Sequence, residues 1–340
     1  MTNSIQKKLS LFTLIFIVVV IGLGAFTRLT EAGLGCPDWP GCYGHVGIPL
    51  KEATIEKANQ AFPDTPYELS KAWPEMVHRY FAGTLGLLIL ALFIIALNRR
   101  SEPNNPLKLT GAILLVVIFQ AALGAWTVTM KLHPIVVVSH LLGGFTTFSL
   151  LTVLAIRLYQ PARDFTYAQV SSIQKWVTLA IVLVVFQIFL GGKTSAHYAA
   201  TICIDLPICH VDGWYEKANF VEGFRLWGYN AETYQYGILS GEGRIALHVS
   251  HRIGAIVVLC MVGFLLWNLI RIESKTCRHF AYAIGALLVL QICLGVINVT
   301  FGLPLFNAVA HNLVGALLLV SLIACRSFIW LQKKHEASNV

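Results

Sequence analysis

Four histidines, one glutamate and two pairs of cysteines are the side chains of this sequence best placed to do chemistry, and they recur in a fixed order. CPDWPGC, from Cys36 to Cys42, and CIDLPIC, from Cys203 to Cys209, share the pattern C-x-D-x-P-x-C. Downstream, HR at His78-Arg79 returns at His251-Arg252, and Q-x-x-L-G at Gln120 returns at Gln291. Each of these glutamines is followed at the same distance by a second histidine, His140 or His311. Upstream, Gly24 and Thr27 match Gly191 and Thr194 at the offset of the cysteine motifs. The chain reads as a tandem duplication, with an N-terminal half over 1–165 and a C-terminal half over 166–340.

Two neutral imidazoles brought to one depth from two helices suit axial ligation of a haem iron from both faces. Beside the histidines stand Gly143, Gly144, Gly254, and Gly315 with Ala316. They would let a flat macrocycle approach the helix backbone, or simply allow close helix packing. Alignment through the HR dipeptide pairs His248 with Glu75. Only the first half therefore carries a carboxylate one turn from its histidine, Glu75-x-x-His78, placed for acid/base work. The structural alternative for Glu75 is a solvated residue at a helix start, favoured by the helix dipole. His248 shares a helix face with His251 and is a rival ligand.

Arg79 and Arg252 would be costly in lipid unless paired. Haem propionates are natural charge-assisted partners, and snorkelling to the interface is the alternative. GGKTS, from Gly191 to Ser195, fails as a phosphate loop because Gln187 stands where that motif needs glycine.

The elements that must position these groups are membrane helices. With 56% hydrophobic and 12% charged residues over 340 positions and a mean hydropathy of +0.68, the chain is too apolar for a soluble domain. Stretches long enough to cross roughly 30 Å of hydrocarbon lie at about 9–27, 79–98, 109–129, 135–156, 175–192, 245–270, 279–300 and 305–325. The expected fold is an all-α integral membrane protein of eight helices, four per repeat.

Arg99, Arg100, Lys108, Arg157, Arg163, Lys175, Arg271, Lys275, Arg278, Lys333 and Lys334 fall in connections on one side. The positive-inside rule makes that side cytoplasmic, with both termini. The net charge of +8 thus reports topology rather than nucleic-acid binding. The cysteine motifs then lie in two long outer loops, where disulfides persist. Their spacing predicts Cys36–Cys42 and Cys203–Cys209 bridges, with a structural and a redox role both open. Symmetric histidine pairs alone would equally fit a di-haem b-type membrane electron carrier of the quinol or cytochrome b kind.

With FTRLTEAGLGCPDWPGC at 26–42, EMVHRYFAG at 75–83, SHLLGG at 139–144, SHRIGA at 250–255 and AHNLVGA at 310–316, the chain resembles the haem A synthase family from about residue 10 to 328. The variant it resembles is the bacterial one with cysteine pairs in both loops. The resemblance implies two pseudo-symmetric four-helix bundles in the inner membrane. It also implies a membrane oxidoreductase that converts the C8 methyl of haem O to the formyl of haem A, for terminal oxidases, by two successive hydroxylations. By resemblance, His251 and His311 hold a cofactor haem b through its iron, His78 and His140 bind the substrate haem, and Glu75 is catalytic. The implied partners are haem O, a haem O synthase (a farnesyltransferase) that makes it, and an electron acceptor or donor; a homo-oligomer is left open.

Peptide mapping without reduction is expected to find Cys36 joined to Cys42 and Cys203 to Cys209, each within its own loop. A Cys36–Cys203 cross-link, or four free thiols, would contradict the spacing argument.

Overall fold

In a computed structural model of the chain, which describes residues 2–207, 209, 213–229 and 231–338, all the long elements are helices. They are α1 (Thr2–Leu29), α2 (Glu52–Ala61), α3 (Leu69–Asn98), α4 (Leu107–Thr129), α5 (Pro134–Tyr159), α6 (Tyr167–Val170), α7 (Gln174–Ala196), α8 (Trp214–Lys217), α9 (Phe220–Gly223), α10 (Gly241–Ile270), α11 (Lys275–Thr300) and α12 (Leu305–Ser338). Eight of these, α1, α3, α4, α5, α7, α10, α11 and α12, are long and apolar enough to cross a membrane. In lipid every backbone N–H and C=O must be satisfied within its own segment, so a helix is the form such a stretch takes.

In the first half α1 packs on α3, α3 on α4, α4 on α5, and α5 back on α1. The second half repeats this ring with α7, α10, α11 and α12. Between the rings α1 meets α12, α5 meets α7, and α5 meets α12. These are the contacts a two-fold relation of the halves would make, because α1 corresponds to α7 and α5 to α12. Matching turns carry the same backbone. Glu31 and Tyr198 after the first helix of each half, and Leu132 and Leu303 before the last, all have positive φ (59°, 54°, 65° and 65°).

Several helices outrun their apolar stretches. α3 begins at Leu69 rather than near 79, because its first turns bury Ala72 and Met76 against Cys36, Cys42, Tyr43 and Ala58 of the first long loop. α10 begins at Gly241, where Ser240 Oγ accepts from Gly243 N at 3.1 Å. The first loop also contains α2, which the hydropathy pattern does not mark. Tyr43 anchors this loop, edge-on to Phe62 and Tyr67 with centroids 5.6 and 5.4 Å away.

The second long loop folds over the first half. Tyr234 N donates to Lys131 O at 3.0 Å, and the His133 ring sits 4.7 Å from both Trp227 and Tyr234. His133 immediately precedes α5, so this loop braces the helix that carries His140.

At the opposite end Asp164 caps α11. Its carboxylate accepts from Ser274 Oγ at 2.7 Å, Lys275 N at 2.6 Å and Thr276 N at 3.1 Å. The hydrogen bonds from Ser274 and then Thr276 hold its carboxyl well below the usual carboxylate range. A depressed folded pKa gives stability that is present above the unfolded value of about 4 and lost as pH falls through the folded one. Asp164→Ala is therefore expected to lower the thermal midpoint in detergent at neutral pH, with the gap to wild type closing progressively below about pH 4. A gap that is unchanged in acid would mean that the cap does not depend on the ionised carboxylate.

Candidate functional site

Each half brings its two histidines from diagonal helices of the ring, α3 and α5 in the first and α10 and α12 in the second. His78 and His140 face each other with ring centroids 6.5 Å apart and planes at 88°. Two imidazoles bound to opposite faces of one metal at roughly 2 Å each place their centroids roughly 6 Å apart. All four histidines keep accessible surface although they lie inside their bundles. The Nδ1 atoms of His78, His140 and His311 are buried without a hydrogen-bond partner. Among the described residues no group of three or more His, Cys, Asp and Glu converges. His78 and His140 therefore meet as a pair, which suits a metal that brings its remaining ligands with it.

A glycine on the neighbouring helix admits each ring. A Cβ at Gly24, Gly124, Gly191 or Gly295 would lie 2.9, 3.5, 3.0 or 3.2 Å from Cε1 of His78, His140, His251 or His311 respectively. Gln120 Nε2 donates to His140 O at 2.9 Å. Gln291 Nε2 lies 3.2 Å from His311 Nε2. Gln187 Nε2 lies 3.0 Å from His251 Nδ1 and donates to His251 O at 2.9 Å.

Glu75 is buried, 5% exposed, in the second turn of α3 rather than solvated at a helix start. That excludes a solvated position at a helix start. Oε2 accepts from Cys36 N at 2.9 Å, and Oε1 ion-pairs with Arg79. The carboxylate thus ties the first disulfide to the turn that carries His78. Its counterpart His248 is held by the main chain instead, its Nδ1 2.8 Å from Ala199 O at the start of the second loop.

Both arginines of the HR motif reach the cysteine loops. Arg79 donates to Asp38 O at 2.9 Å and to Gly41 O. Arg252 donates to Asp205 O at 2.7 Å and Cys203 O at 2.6 Å. These carbonyls satisfy guanidinium charge that would otherwise be stranded at the membrane edge. Both disulfides are formed, Cys36–Cys42 and Cys203–Cys209. In the first, Asp38 closes the loop by accepting from Tyr43 N at 2.6 Å and Gly44 N at 2.8 Å. Lys193 of GGKTS is buried and donates to Arg225 O at 2.8 Å.

Gln187 and the four facing glycines are missed when the sequence is read for ionisable groups alone. The signal was present: Q-x-x-L-G, noted at Gln120 and Gln291, occurs a third time from Gln187 to Gly191.

The fold and site define a multi-pass membrane protein of two four-helix rings, each with two histidines on diagonal helices and a disulfide-closed loop. A family model for cytochrome oxidase assembly proteins, COX15-CtaA, matches residues 7–323, and the chain belongs to that family. It is similar to the "Heme A synthase" of Shewanella oneidensis, 44% identical over 330 residues that cover 96% of each chain. It is also similar to proteins of the same name from Alkalihalophilus pseudofirmus, 25% identical over 95% of each chain, and from Mesorhizobium japonicum, 27% identical over 88% of this chain and 83% of the relative.

Hydrogen bonds to a charged group contribute about 1.5–3 kcal/mol, so removing an arginine that grips a loop should free its bridge. Arg252→Ala is expected to speed reduction of Cys203–Cys209 by mild thiol roughly tenfold or more, while Cys36–Cys42 reacts as in wild type. The measurement is differential alkylation followed by mass spectrometry. Equal rates for the second bridge in variant and wild type would show that the arginine does not hold the loop.

Proposed function

We propose that this protein acts as a haem A synthase, oxidising the C8 methyl of haem O to the formyl group of haem A through two successive hydroxylations and loss of water. The observation that carries the reading is the first-half site, where two imidazoles face each other and a buried carboxylate lies one turn from one of them. In this reading His78 and His140 hold the substrate haem, and His251 and His311 hold haem b through its iron. Haem b, when bound, supplies one-electron chemistry that lets electrons leave the reacting centre.

The chain's own residues do the rest. The imidazoles fix the substrate macrocycle from two sides, and the facing glycines set its depth. Glu75 pairs with Arg79 and accepts from the Cys36 amide. Each carboxylate oxygen has a lone pair beyond those two bonds, so Glu75 accepts a proton, directly or through one water, without releasing the loop. The Cys36–Cys42 loop, latched by Arg79, roofs this half and limits entry of bulk water.

The arginine- and lysine-rich connections support an orientation with both termini in the cytoplasm and the cysteine loops outside the inner membrane. A farnesyltransferase that makes haem O then supplies the substrate within the same bilayer. A di-haem electron carrier would also use paired histidines, but it gives no work to a buried carboxylate in one half only, and the relatives' names favour the synthase.

Glu75→Gln keeps size and hydrogen bonding but removes the base, for which a rate loss of about 10²–10⁴ is typical. Membranes expressing this variant should accumulate haem O or its alcohol while haem b stays bound. His251→Ala or His311→Ala should lose haem b, and His248→Ala should keep it. Near-normal haem A from Glu75→Gln would remove Glu75 from the chemistry and leave it as a loop latch.

A further inference from the structure

Two arginines mark where the helices at the seam between the halves leave the apolar layer, at the end away from the cysteine loops. Arg157 directly follows the apolar stretch of α5, and Arg326 that of α12. These two helices pack on one another and both pack on α7, so the three close around one crevice. Trp330, one turn after Arg326, is 38% exposed and takes a cation from each half. Arg157 of the first half lies 5.1 Å from its ring centroid, and Lys334 of the second lies 5.8 Å away. Arg326 Nε donates to Thr178 Oγ1 of α7 at 3.2 Å.

These cations have no anion of their own. No ion pair among the described residues involves Arg157, Arg326 or Lys334. Of the acidic residues nearest in sequence, Asp164 caps α11, and Glu336 accepts from Tyr167 N and Gln332 Nε2. An indole face offsets part of a cation's charge, but a guanidinium has five N–H donors in a fork that fits a phosphate. Positive charge held at the edge of the hydrocarbon therefore has room for an acceptor that comes from outside the chain.

The surface below the arginines says which acceptor. Thr178, Val182 and Phe186 follow one another at i, i+4 and i+8 along one face of α7, and Val182 and Phe186 are 57% and 51% exposed. An apolar stripe thus runs from the contact of Arg326 toward the middle of the bilayer. A soluble phosphate would use the cations and leave the stripe idle. A phospholipid uses both, with its head at the arginines and a chain along α7, and basic pockets between membrane helices are places where anionic head groups bind.

We propose that this crevice binds an anionic phospholipid from the leaflet at the basic ends of the helices. Arg157, Arg326 and Lys334 hold its phosphodiester, Trp330 sets the depth of the head group, and Val182 and Phe186 carry an acyl chain. The lipid bridges α5, which bears His140, to α12, which bears His311. It therefore joins the halves at the end opposite the second outer loop, which joins them at the other.

The test uses the full-length protein in neutral detergent and counts bound lipid by native mass spectrometry, titrating phosphatidylglycerol against phosphatidylcholine with the same chains. Phosphatidylglycerol should bind preferentially. Arg157→Gln with Arg326→Gln should weaken it about 25-fold, at about fivefold per basic residue. Arg100→Gln with Arg278→Gln, which removes the same charge at exposed positions of the same side, should leave its binding as in wild type. A second measurement keeps every cation: brominated phosphatidylglycerol should quench tryptophan fluorescence more than brominated phosphatidylcholine, and Trp330→Phe should abolish that difference. Equal binding of the two lipids, equal weakening by the control pair, or a quenching difference that survives in Trp330→Phe would overturn the proposal. Displacement of phosphatidylglycerol by an excess of inorganic phosphate would do the same, because it would make the crevice a site for soluble anions.

Discussion

An imidazole pressed against the backbone of a neighbouring helix is the contact around which both halves are arranged. It needs a facing residue without a Cβ, since the added carbon at Gly24 or Gly191 would stand 2.9 or 3.0 Å from the ring. It also fixes the register of the two helices, because a shift of one residue would put a side chain where the ring must go. Three such contacts, at His78, His251 and His311, set how α1 lies on α3, α7 on α10 and α12 on α11, and Gly124 faces His140 with more room. Helices in lipid gain little from hydrophobic association, and close approach over small residues is what holds them together. The same glycines thus serve packing and site alike.

Charge at the membrane edge imposes the second constraint. Arg79, Arg252 and Glu75 would each be expensive at the end of an apolar helix without partners. The chain supplies those partners from its own loops, through the carbonyls of Asp38, Gly41, Cys203 and Asp205 and the amide of Cys36. A loop closed by a disulfide within seven residues presents its carbonyls in one geometry, so the arginine meets a preformed acceptor. The HR dipeptide therefore couples a histidine inside the membrane to a rigid loop above it.

Duplication gave both halves this framework, and divergence made them different. Glu75 and His248 occupy matching positions, yet one grips the disulfide loop and the other the main chain at Ala199. The two halves thus share a framework but not the contacts made one turn before their HR dipeptides. The second loop, resting on Lys131 and His133, joins the two halves at the end where both sites lie.

The sequence by itself determined the number of spans, the duplication, the cysteine pairing and the histidines to watch, because each is written in local hydropathy or in spacing that repeats. It also marked Glu75 as the residue that breaks the symmetry. It could not decide what Glu75 touches, since the partner at Cys36 is 39 residues away and a buried carboxylate looks the same in sequence as one at a solvated helix start. Nor could it assign Arg79 and Arg252 to loop carbonyls, because main-chain acceptors have no residue type to read. The starts of α3 and α10 lie outside their apolar stretches, since those turns are held by packing on the loops and by a cap rather than by lipid. Which glycines face which histidines, and that Gln187 reaches His251, were decided only when the rings of helices closed and brought residues 64 positions apart within a hydrogen bond.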